Sequence, residues 1–170
     1  MGNLTMYKEL WTFLISMLPI VELRGAIPVG LASGINPVLN YFLCVIGNML
    51  PIPFILLFIR PVFQRLKQIP RVRGTINKLE NKAHMKSDTI KKYSFWGLVI
   101  FVGIPLPGTG GWTGALIAAL LGLRLKRSLP AIFIGVLLAG VIMTALTMVV
   151  MAGLTEGMGF LDSALRWLVK

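Results

Sequence analysis

The chain has 170 residues, 56% hydrophobic and only 14% charged, with a mean hydropathy of +0.81. Soluble domains run near 25% charged, so the composition is that of an integral membrane protein. The formal net charge is +11, and ten of the seventeen Lys and Arg residues fall between Arg60 and Lys92, which argues for a cytoplasmic loop on an anionic leaflet and against nucleic-acid binding.

Residues 1–9 read as a short interfacial lead. The apolar run 11–21 is only 11 residues long, whereas a spanning helix needs roughly 20. A break over Glu22–Pro28 follows, then a second short piece over 26–35. Half-span, break, half-span is the pattern of a re-entrant hairpin over 10–35 or of a broken helix, since irregular backbone survives at bilayer depth only when buried in protein or lining water. Asn36-Pro37 signals a helix start, and residues 38–59 are long enough for a full transmembrane helix. Asn40, Cys44 and Asn48 share one face of it, and Pro51 and Pro53 should kink its second half.

Residues 60–93 form a basic linker, read either as an amphipathic surface helix or as a solvated connector. Residues 95–104 give another half-span, broken at Pro105 and Pro107 and by a glycine cluster, and 112–123 give its return. A second full span covers 128–153, and 154–170 reads as an interfacial C-terminal tail. The domains are therefore a first half-repeat (1–59), the linker (60–93), a second half-repeat (94–153) and the tail.

Positive charge sets the orientation. The linker and Arg124–Arg127 should both be cytoplasmic, so each half is a hairpin plus a span, in opposite senses. The expected fold is an all-α inverted-topology repeat, the architecture of many secondary transporters. The competing topology makes 94–123 one kinked span. Stripes of small residues (Ala26, Gly30, Gly34; Gly110, Gly114, Ala118, Gly122; Ala131, Gly135, Ala139) should let helices approach closely. Two spans and two hairpins barely enclose a cavity, which predicts a homodimer.

The candidate site is built from both breaks. Glu22 and Arg24 put a carboxylate and a guanidinium inside lipid-like sequence, where charges are costly and tend to be functional. In an extended or turn segment, positions two apart share a side. The pair then reads either as a structural ion pair, or as an anion clamp (Arg24) beside a proton-titratable Glu22. In the second break, Gly108, Thr109, Gly110, Trp112 and Thr113 predict a helix start with free N–H groups facing a cavity. Pro19, Pro28, Pro105 and Pro107 are the structural breaks, and Asn48 either lines the cavity or satisfies broken backbone. The glycine cluster fits neither the dinucleotide nor the Walker pattern. The single Cys44 and single His84 offer no metal set, so no metal and no cofactor is expected. Without a nucleophile–base pair or paired carboxylates, an enzyme is not expected either. The start of the chain shows neither a signal-peptide pattern nor a myristoylation signal.

Three motifs, Glu22-Leu-Arg-Gly-Ala-Ile-Pro28, Ile46-Gly-Asn-Met-Leu-Pro-Ile-Pro53 and Gly103-Ile-Pro-Leu-Pro-Gly-Thr-Gly-Gly-Trp-Thr-Gly114, resemble the small multidrug export family of prokaryotic membrane proteins. The paired proline-broken hairpins look, more distantly, like the DedA/VTT superfamily, which is linked to lipid-carrier translocation. The resemblance implies a multi-pass protein of the prokaryotic plasma membrane. Three readings follow. One is a secondary transporter that exports a small or amphiphilic substrate, proton-coupled through Glu22. The second is a translocase for a phosphate-bearing lipid such as a polyprenyl phosphate, clamped by Arg24. The third is a non-transporting assembly factor.

Overall fold

The computed structural model describes residues 2–66, 74, 87–106 and 108–168. Among them are seven helices: α1 (Gly2–Met17), α2 (Glu22–Ala32), α3 (Pro37–Met49), α4 (Ile52–Leu66), α5 (Ser87–Gly103), α6 (Gly111–Leu120) and α7 (Leu125–Leu168). No strand occurs among the described residues. Two stretches are long and apolar enough to cross a membrane: Pro37–Ile59, 23 residues made of α3 and most of α4, and Leu125–Thr155, 31 residues of α7.

Local chemistry sets the ends of these helices. Asn36 caps α3, its side-chain oxygen accepting from the Val38 N–H at 3.0 Å, with Pro37 in the first turn, where its missing N–H costs nothing. Pro51 interrupts the span between α3 and α4 because it cannot donate to the preceding turn. The two short helices stop in the same way. After α2, Gly34 adopts φ +82° and the Ile35 N–H reaches back to the Gly30 carbonyl at 3.1 Å. After α6, Gly122 adopts φ +64° and the Leu123 N–H reaches back to Ala118 at 2.9 Å. Both are glycine-terminated Schellman caps.

Packing follows a pattern that repeats when the halves are exchanged. α1 lies along α2 and α3, as α5 lies along α6 and α7; α2 also packs on α7, and α6 on α4. Lipid tails are as apolar as the side chains, so close van der Waals fit has to hold the helices together. Glycines supply that fit. A Cβ at Gly135 would come within 2.7 Å of Val102 and 3.0 Å of the Val99 carbonyl, and one at Gly140 within 2.7 Å of Tyr41. Ala26, Ala115, Ala118, Ala131 and Ala139 are buried around them, whereas Phe42, Phe54, Phe58 and Val149 point outward, as suits a lipid-facing surface.

Four expectations change. The first break occupies residues 18–21, not 22–28: Glu22 opens α2, and Pro28 is held inside it. Next to it, the buried Asn40 amide of α3 donates to the Ile27 carbonyl at 2.9 Å, which ties α2 to α3. The lead 1–9 belongs to α1 from Gly2 onward. Gly34 and Gly122 end their helices instead of extending a packing stripe, because their positive φ closes the caps. The tail is not separate: α7 runs through to Leu168, since no proline or left-handed glycine stops it, although its span-like part ends at Thr155. Of the linker 60–93, residues 60–66 continue α4 and 87–93 open α5; 67–86, His84 included, lies outside the described residues apart from Gly74, as does Pro107.

Candidate functional site

The two breaks face one another. Residues 18–21 join α1 to α2, residues 104–110 join α5 to α6, and between them lies an open cleft of about 600 Å³. Pro19, Glu22 and Arg24 line it from one side, Pro105 and Thr109 from the other, and Met143 of α7 closes it.

Glu22 sits at the start of α2 with φ 50°, the one non-glycine residue with positive φ among those described. That left-handed backbone costs roughly 1–2 kcal/mol and persists only where its surroundings over-determine it. Here the surroundings are α6. The N-cap position of α6 is Gly110, which has no side chain to cap with. The Glu22 carboxylate takes over that role from 90 residues away, accepting the Trp112 N–H at 3.1 Å, with the Gly111 N–H also facing it. A negative charge on the positive end of a helix dipole is favourable. Only glycine fits at residue 110, because any Cβ there would overlap the Glu22 carboxylate. Glu22 is 5% exposed, so this contact is largely shielded from solvent.

Arg24 does the complementary work on the other side of the same break. Its Nη1 donates to the Leu106 carbonyl, and its Nη2 donates to the Ile104 carbonyl at 3.3 Å and to Thr109 Oγ1 at 2.8 Å. These carbonyls follow the end of α5, where backbone acceptors lack helical partners. The guanidinium fork gathers them as a carboxylate would be gathered. Thr109 closes the knot, its hydroxyl lying 2.8 Å from the Ile104 oxygen and 2.9 Å from that of Leu106.

The second break returns one contact. The Trp112 indole Nε1–H donates to the Met17 carbonyl at 3.2 Å, satisfying the last residue of α1. Each half thus caps helix ends of the other.

Residues 22–142, more than half of the chain, match the model of a family described as "putative small multi-drug export protein". The chain belongs to this family. Neither the curated proteins nor the solved structures give a match. The matched segment starts at Glu22 and includes both breaks, and the family description is that of an exporter rather than an enzyme.

Placed in this export-family chain, the sequence candidates separate. Glu22, Arg24, Gly108, Thr109 and Thr113 line the cleft with Pro19 and Pro105. Gly110 and Trp112 make the contacts to Glu22 and Met17 described above. Pro28 lies inside α2. Asn48 is fully buried behind the start of α6, with neither side-chain atom hydrogen-bonded.

Two expectations are corrected. The start of α6 is not a set of free N–H groups, because Glu22 occupies it. Glu22 and Arg24 share no extended strand: both lie in the first turn of α2, and their hydrogen bonds run to the other half of the chain. Sequence reading missed the carbonyls of Met17, Ile104 and Leu106 as partners, since backbone acceptors leave no residue-type signal. It also missed Met143, hidden in a uniformly apolar span.

Proposed function

We propose that this export-family protein is a secondary transporter that carries a small or amphiphilic compound through the cleft between the two breaks, with Glu22 as its proton-carrying group. The observation behind this is that the carboxylate lining the cleft is also the cap of α6. Protonating Glu22 removes the negative charge at that helix end, so proton binding and the arrangement of the second break are coupled through one atom pair. A cationic substrate competes with the proton for the same carboxylate, the elementary requirement of proton-coupled exchange.

The architecture that suits this role is an inverted repeat of two re-entrant hairpin-plus-span halves. In its favour are the matching order of elements, the two glycine caps after α2 and α6, and the exchange-symmetric packing. Transport would then rock one half against the other about the fixed site, with the basic linker and Arg124–Arg127 on the cytoplasmic side of a prokaryotic plasma membrane.

The phosphate-lipid reading has less support. Arg24 already spends donors on Ile104, Leu106 and Thr109, and the helix end that would hold a phosphate already holds Glu22. The test is transport in proteoliposomes carrying a lumenal pH dye, with a lipophilic cation as substrate. Cation flux should drive opposing proton flux, and Glu22→Gln should abolish that coupling. Equal proton-coupled flux in Glu22→Gln would overturn the reading. Flip of a polyprenyl phosphate without any cation flux would favour the lipid translocase, and no flux of either the assembly factor.

A further inference from the structure

The Asn48 side chain is fully buried in α3 and hydrogen-bonds to nothing, neither through its oxygen nor through its nitrogen. Buried amides almost always find partners, and leaving one unsatisfied is strongly unfavourable. Its position is specific. The space next to Gly111, the first residue of α6, is bounded by Asn48 Oδ1 at 3.4 Å and Nδ2 at 3.5 Å from where a Cβ would stand. Asn48 therefore borders the same helix start that Glu22 caps. The two side chains come from different elements: Glu22 overlies Gly110, and Asn48 packs on Gly111.

We propose that Asn48 is the alternate cap of α6, accepting the backbone N–H groups of its first turn whenever Glu22 leaves them. This rests on the transport reading, in which Glu22 must let go of α6 to take up a proton or a substrate. Without a substitute, that departure would orphan backbone donors at membrane depth, where an unpaired N–H is most costly. Asparagine is among the best N-capping residues, because its oxygen accepts from the second or third helical N–H. The Asn48 amide already stands beside Gly111, and a glycine there puts no side chain between it and that turn. Asn48 is thus a positioning residue: it keeps α6 formed while the carboxylate does the exchange.

Amide hydrogen exchange across 110–116 tests this on the full-length protein in detergent micelles. The set is wild type, Glu22→Ala, Asn48→Leu and the double variant. Asn48→Leu alone should leave exchange at the wild-type rate, since Glu22 is in place. Glu22→Ala alone should raise it modestly, because Asn48 takes over. The double variant should exchange roughly fivefold to tenfold faster than the product of the two single effects, the loss of one cap. Simple multiplication of the single effects would overturn the proposal, as would Asn48→Leu accelerating exchange in the presence of Glu22. If the double variant does not fold, rescue decides instead. Glu22→Ala combined with Asn48→Asp moves the carboxylate to the other flank of the same helix end and should restore wild-type exchange; failure to restore it would also overturn the proposal. These readouts follow the helix end and not flux, so they can fail while proton-coupled transport stands, and the reverse.

Discussion

The two breaks solve one problem with opposite materials. The first, at residues 18–21, is followed by side chains that carry full charges, Glu22 and Arg24. The second, at 104–110, brings bare backbone: the carbonyls after α5, the N–H groups that start α6, and glycines that let partners approach. Neither is complete alone. The charges would be unpaired, and the first N–H groups of α6 would have no acceptor. Facing each other, the acid takes the donors, the base takes the acceptors, and Trp112 answers on Met17. What this teaches is that the charged residues beside one break hold the backbone of the other. On the transport reading proposed above, protonating Glu22 would also alter how the second break is held.

Breaking the comparison at its tightest point should cost the most. Gly110→Val places a side chain on the Glu22 carboxylate, and overpacking of this kind costs about 3 kcal/mol. This substitution should give the largest fall in melting temperature, with transport lost. Arg24→Ala removes the charged donor shared by Ile104, Leu106 and Thr109, at roughly 2 kcal/mol. Arg24→Lys should recover only part of this, because an ammonium lacks the fork that reaches several acceptors together. Trp112→Phe keeps an aromatic six-membered ring and removes the indole donor to Met17, which should lower stability by about 1 kcal/mol. The smallest effects sharpen the likeness between the halves. Gly34→Ala and Gly122→Ala each force a Cβ into the left-handed region with open space around it, so each should cost about 1 kcal/mol. Thermal unfolding in detergent that shows equal losses for the two would bear out equivalent caps.

Much of this organisation is legible in the residues. Apolar run lengths give the two spans and the short α2 and α6, Asn36-Pro37 gives the start of α3, and the paired proline-glycine breaks mark the segments that face each other, whereas α1 and α5 start earlier than the apolar runs do. The export family is readable from the motifs that flank those breaks. What is not readable is partnership. Glu22 and Arg24 are two apart, which invites pairing them with each other; their hydrogen-bond partners are 80 or more residues away and, apart from the Thr109 hydroxyl, are backbone atoms that any residue type supplies. The placement of Pro28 inside α2 is equally hidden, because a proline ordinarily marks the end of a helix. The run of α7 to Leu168 escapes for a milder reason: the polar residues after Thr155 end a membrane span without ending a helix.

The most direct measurement is proton release on substrate binding, followed with a pH indicator in weakly buffered detergent solution as a lipophilic cation is titrated into the purified protein. A proton should leave with each cation bound, and the release should vanish in Glu22→Gln. Cation binding without proton release, or release that persists in Glu22→Gln, would contradict the assignment of Glu22 as the group that both caps α6 and exchanges protons for substrate.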